Sequence, residues 1–94
     1  MGTTQRIIIV DDHPLFRDAL DSSLTSAFGN ITTRQCGSLA ELVELLKSGS
    51  DVDLILLDLN MPGVQGFSGL LFLRAQYPSI PVLIVSATGD AATI

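Results

Sequence analysis

Arg6-Ile7-Ile8-Ile9-Val10-Asp11-Asp12-His13-Pro14 reads as a strand, a pair of carboxylates and the opening of a helix. The run Arg6 to Val10 is short, β-branched and apolar on both faces, as strands of a parallel sheet covered on each side require. Pro14 suits the first turn of a helix, where its missing N–H is not needed. Asp53-Leu54-Ile55-Leu56-Leu57-Asp58 repeats the pattern, with a continuous apolar strand that ends in an acid. Such strands deliver their carboxylates to the crevice outside their C-terminal ends. In open parallel sheets, ligands bind there, where the strand order reverses.

The rest of the chain supplies the crossovers that a parallel sheet needs. Phe16, Leu20, Leu24 and Phe28 recur every fourth residue and predict an apolar stripe along a helix over 15–27, stopped by Gly29-Asn30. Ile31 to Cys36 alternates loosely and predicts a shorter, less buried strand. Ser38-Leu39-Ala40-Glu41 has the form of a capping box, in which hydroxyl and carboxylate each accept from a backbone N–H left over at the helix start. Leu39, Leu42, Val43 and Leu46 continue that helix, and Gly49 ends it. Asn60-Met61-Pro62-Gly63 predicts a turn after the third strand, since Pro fixes φ and Gly accepts positive φ. A third helix is expected from about Phe67 to Gln76, ahead of Pro78, and a fourth strand from Pro81 to Val85. The order βαβαβαβ, with right-handed helical crossovers, is that of a doubly wound α/β sheet. Residues 1–94 are expected to form one domain that is incomplete at its C-terminus, because Ala91 to Ile94 read as the first residues of another helix.

Composition narrows the class. Ninety-four residues allow one small domain, and 47% hydrophobic residues suffice for a core. A net charge of −5, with Arg6, Arg17, Arg34, Lys47 and Arg74 scattered, argues against nucleic-acid contact by this segment. Cys36 is the one cysteine, so it forms no internal disulfide and is expected as a half-buried strand residue in a reducing compartment. No run approaches the roughly 18 apolar residues of a membrane span. Ile7 to Val10 is too short for a signal peptide, and Arg6 stands where a myristoylation motif wants Ser or Thr. A cytoplasmic location is expected.

Three carboxylates in one crevice repel one another, and a divalent cation removes the conflict. Mg²⁺ suits, because it takes few carboxylates and keeps several waters for phosphate oxygens. With its charge masked, Asp58 could attack phosphorus and carry an aspartyl phosphate. The bland reading of Asp11-Asp12 is a solvated loop that caps the following helix. Asp51 and Asp53 precede their strand and are expected as solvated turn residues at the opposite sheet edge. Ser86, ending the fourth strand, either bonds a phosphoryl oxygen or merely caps, and the small Ala87 leaves room beside it. His13 is read as a loop residue packed beside the acids, with a catalytic base or phosphohistidine as the other reading.

Taken together, Asp11-Asp12-His13-Pro14, the stretch Asp53 to Gly63, Gly66 and Val85-Ser86-Ala87 resemble the receiver domain of two-component response regulators. The wording Asp11-Asp12-His13-Pro14-Leu15-Phe16-Arg17-Asp18-Ala19-Leu20 is similar to the subgroup whose output is a LuxR-type helix-turn-helix domain. The resemblance implies a flavodoxin-like sheet in the order 2-1-3-4, with the family's fifth strand absent. It implies that Asp58 accepts phosphate from a sensor histidine kinase. Asp12 and Asp58 would ligate Mg²⁺ directly, Asp11 mostly through water, and Asn60 through its backbone carbonyl. Ser86 would be the switch hydroxyl, with Ala87 and Thr88 bordering the site. The protein would not be an enzyme beyond self-phosphorylation and autodephosphorylation, and it would act on DNA through a C-terminal domain that this sequence does not contain.

The family's lysine after the fifth strand has no counterpart, since the only lysine is Lys47 on the second helix. That counts for the alternative of a receiver-like interaction module that is not phosphorylated, and the intact acid set counts against it. An aspartate-nucleophile phosphohydrolase of the haloacid dehalogenase kind is the third reading. It wants a second Asp two residues after the nucleophile, where Asn60 stands. Self-association through the fourth strand is also expected.

Overall fold

The computed structural model describes residues 4–49, 51–58 and 68–85. In chain order these form β1 (Gln5–Val10), α1 (Pro14–Ala27), β2 (Ile31–Cys36), α2 (Leu39–Lys47), β3 (Leu54–Asp58), α3 (Ser68–Gln76) and β4 (Val82–Val85). The four strands make one sheet in the order β2-β1-β3-β4, every pair parallel. This is the doubly wound, flavodoxin-like arrangement expected from the element order. The expected turn at Asn60 to Gly63, Gly66, and the start of the third helix at Phe67 lie outside the described residues.

Alternation along the strands divides the core between the two faces. Ile8, Val10, Ile55, Leu57 and Ile84 point to one side, where Leu42 and Leu46 of α2 and Leu73 of α3 cover them. Ile7, Ile9 and Leu56 point to the other side and meet Leu20 and Leu24 of α1. Fully burying one such side chain stabilises by about 1.5–3 kcal/mol. Ile9, Ile55 and Leu57 at the sheet centre therefore fix where β1 and β3 end. The stripe on α1 is narrower than expected: no residue of α1 is fully buried, and Phe28 is 57% exposed.

Four local expectations are corrected. First, β2 has six residues, as many as β1, although it is less buried. Second, Cys36 is buried, 4% exposed, because it points into the cluster under α2, and burial pushes its thiol pKa up. Third, the capping box closes one residue early. Ser38 Oγ accepts from the Glu41 N–H, but Glu41 Oε1 accepts from Gly37 N–H at 3.3 Å. Finally, Asp53 is exposed as expected but has a structural task. Its N–H donates to Arg6 C=O and its Oδ2 accepts from Arg6 N–H, each at 2.8 Å, which continues the β1–β3 ladder beyond Leu54. Asp51 pairs loosely with the Arg6 guanidinium at 3.4 Å.

A polar clamp ties α1 to β2. Asp21 accepts from Thr33 Oγ1 at 2.6 Å, Gln35 Nε2 at 2.9 Å and Thr25 Oγ1 at 3.2 Å, with Thr33 the chief cause of its lowered pKa. A depressed carboxylate pKa adds stability that is present above the ordinary value and lost as pH falls through the depressed one. Asp21→Ala is therefore expected to cost about 1 kcal/mol near neutrality, the usual net value of such bonds. Urea titrations across pH should show the difference from the unsubstituted chain shrinking in acid. A gap that stays constant with pH would contradict this.

Candidate functional site

The strand register builds the site. Val10 aligns with Leu57, so the next residues, Asp11 and Asp58, stand side by side at the C-terminal ends of β1 and β3. Each is 1% exposed. The Asp11 N–H donates to Cys36 C=O at 3.0 Å, which carries the β1–β2 pairing one residue past the strand and holds the loop down. Asp12 is partly buried and His13 is exposed. One ligating atom from each of Asp11, Asp12, His13 and Asp58 falls within a 4.8 Å span.

Asp11 is held by its neighbours in sequence. Its Oδ1 accepts from His13 N–H at 2.7 Å and lies 3.0 Å from His13 Nδ1. Its Oδ2 is shut off from solvent and has no hydrogen-bond partner among the described residues. The acids therefore do not cap α1 through its leading N–H groups. The cap residue is His13, which makes no side-chain cap bond, and Asp11 turns the loop instead. His13 Nδ1 also lies 2.9 Å from Asp12 Oδ1, a charge contact out of line for a hydrogen bond. His13 thus packs beside the acids, as expected. The bond to Asp11, then the charge of Asp12, raise its pKa above the ordinary imidazole value. The stabilisation this gives the metal-free fold is present at low pH and lost as pH rises through the raised pKa.

One positioning residue escaped the sequence reading. Arg17 Nη1 donates to Asp11 C=O at 2.6 Å, and its Nε donates to Gln35 Oε1 at 3.0 Å. Arg17 lies one turn after Pro14, so it faces back over the loop, and that spacing was its available signal. Gly37 gives it room: a Cβ there would come 3.2 Å from Arg17 Nη1 and 3.3 Å from Glu41 Oε2. Asp51 and Asp53 lie at the N-terminal edge of the sheet, away from the site. Asn60, Ser86, Ala87 and Thr88 lie outside the described residues.

Sequence ties this cluster of strand-end acids to one family. Residues 7–94 match the model of the response regulator receiver domain. The chain belongs to that family. Among curated relatives, this receiver is 45% identical over 89 residues to the glycerol metabolism activator of Pseudomonas putida, covering 95% of this chain and 40% of that protein. Among solved structures, it is similar to a LuxR family DNA-binding response regulator from Silicibacter pomeroyi. That match has a TM-score of 0.78 and 30% identity, over 87% of this chain and 62% of that one. The similarity to the LuxR-type subgroup expected from the stretch Asp11 to Leu20 is thus met. The fold is also that of the response regulator TrrA from Thermotoga maritima, solved in complex with Mg²⁺–BeF. Here the TM-score is 0.80 and the identity 24%, over 92% of this chain and 72% of that one. The receiver spans less than half the length of the glycerol metabolism activator. No helix among the described residues is long and apolar enough to cross a membrane.

Proposed function

We propose that this receiver is a phosphoacceptor switch of a two-component system, with Asp58 taking phosphate from the phosphohistidine of a sensor kinase. The observation that carries this is the juxtaposition of Asp11 and Asp58, each 1% exposed, with Asp12 at the same strand ends. Carboxylates buried together repel one another, and a cation between them relieves that repulsion. The buried, unpartnered Asp11 Oδ2 and the all-oxygen carboxylate set fit Mg²⁺. Asp11, Asp12 and Asp58 would hold it together with the backbone carbonyl of Asn60. When bound, it supplies positive charge opposite the incoming phosphoryl oxygens. Asp58 supplies the attacking oxygen: an O–P bond forms as the P–N bond of the phosphohistidine breaks. Arg17 keeps the acid loop seated through Asp11 C=O, and Ser86 would bond a phosphoryl oxygen as the switch hydroxyl. The chain thus acts on itself, with loss of its own phosphate as its only turnover. It would work in the cytoplasm without binding membrane, reaching DNA through an output domain.

The metal half is tested by calorimetric Mg²⁺ titration. Two of the three carboxylates come from one loop, so Asp12→Ala is expected to remove most of a weak binding signal. Binding left intact in both Asp12→Ala and Asp58→Asn would overturn the site.

Self-association belongs to the same reading. Among the described residues β4 is an edge of the sheet, and its Val82-Leu83-Ile84-Val85 carries no Lys or Pro to blunt pairing, with Leu83 40% exposed. The 94-residue chain, made alone, is expected to associate through β4. Size-exclusion chromatography with light scattering checks this, and a monomer at every concentration would contradict it.

A further inference from the structure

The imidazole of His13 has no part in a site made of oxygen donors, yet it sits at the site's mouth. Its Nδ1 lies 3.0 Å from Asp11 Oδ1 and 2.9 Å from Asp12 Oδ1. Two ligands at right angles around an ion, bonded at about 2.1 Å, stand about 3 Å apart. His13 Nδ1 is therefore already spaced from each of the two carboxylate oxygens as one ligand is from its neighbour around a small divalent ion. Two observations aim this corner at a cation. Asp11 Oδ2 is buried without a hydrogen-bond partner among the described residues, and a ligating atom of Asp58 falls inside the same 4.8 Å span.

We propose that His13 is a direct ligand when the site takes a d-block cation such as Zn²⁺ or Co²⁺, its Nδ1 joining Asp11, Asp12 and Asp58, and stays outside the shell of Mg²⁺. The inference rests on the acid cluster being a cation site. Its chemical basis is ligand preference: imidazole suits the later first-row metals, whereas Mg²⁺ takes oxygen ligands and water. The ring coordinates in its neutral form, with its hydrogen on Nε2. That edge is free to reach solvent, since the side chain is 57% exposed. A receiver so equipped would distinguish d-block ions from Mg²⁺ at its phosphoacceptor site, and those ions would compete with Mg²⁺ there.

Titration of the full chain and of His13→Gln with Mg²⁺ and with Co²⁺ tests this. An exposed side chain is replaced, so the fold is expected to survive, as far-ultraviolet circular dichroism would verify. Losing an outer-shell partner alone weakens metal affinity by about tenfold or more, and losing a direct ligand should do at least that. In His13→Gln the Co²⁺ affinity should therefore fall about tenfold further than any change for Mg²⁺. Proton NMR of the Co²⁺ form adds a structural readout. His13 is the only histidine, so far-shifted, non-exchanging imidazole C–H resonances of a single ring should appear and vanish in His13→Gln. Co²⁺ bound without those ring resonances, or equal losses for both ions, would overturn the inference while leaving the Mg²⁺ site standing. Failure of the unsubstituted chain to bind either ion would overturn the cation site and this inference together.

Discussion

Metal-free Asp58→Asn is expected to unfold at a higher urea concentration than the unsubstituted receiver. Asp11 and Asp58 are each 1% exposed, and the acid cluster spans 4.8 Å. Two unit charges at that distance repel by about 3 kcal/mol at an effective dielectric of 20. The imidazole of His13 relieves part of that, so the expected gain is about 1–2 kcal/mol. Asparagine keeps the shape of aspartate and removes the charge, so packing against β1 and β4 is preserved. Mg²⁺ should reverse the order, because a ligand that binds only the folded state stabilises the chain that binds it more tightly. The same substitution should end phosphoryl uptake, since an amide is no nucleophile for phosphorus. A variant that is no more stable without metal would mean that these acids do not strain the fold.

Ile55→Ala is expected to have the largest effect on folding itself. Ile55 is 0% exposed on the central strand β3, in the cluster with Ile8, Leu42, Leu57 and Leu73. Truncating a buried isoleucine to alanine costs about 2–5 kcal/mol, as lost burial plus the cavity left behind. A domain with only about 5–15 kcal/mol in hand would lose much of its margin. Asp58 rides on the same strand, so Mg²⁺ affinity should fall with stability although Ile55 touches no ligand. Leu15→Ala, at a position 84% exposed, serves as the control and should shift stability by no more than about 0.5 kcal/mol. Equal effects from the two substitutions, read by urea denaturation, would contradict the assignment of the core.

Much of this fold was legible in two short runs of sequence. Arg6 to Val10 and Asp53 to Leu57 are apolar at every inner position, which a strand covered on both faces requires and a half-exposed strand does not. Their trailing acids then marked the C-terminal edge, and the register that sets Val10 against Leu57 brought Asp11 and Asp58 together. What escaped depended on contacts distant in the chain. Nothing local separates a half-buried Cys36 from a fully buried one, since that is decided by whether α2 lies over it. Asp53 read as a solvated turn because its partner, the Arg6 backbone, lies 47 residues away. Arg17 looked like one of five scattered cations until the loop folded under it. The reach of Glu41 to Gly37 instead of Ser38 is a matter of one rotamer, which spacing alone does not determine.

The central claim is that the strand-end acids make Asp58 a phosphoacceptor. Its most direct test is to incubate the receiver with acetyl phosphate, with and without Mg²⁺, and locate any modification by borohydride trapping and peptide mass spectrometry. The account predicts a single acyl phosphate at Asp58, labile to alkali, formed with Mg²⁺ and absent without it. Phosphate on a hydroxyl, phosphate that persists in Asp58→Asn, or no uptake with Mg²⁺ present would contradict it.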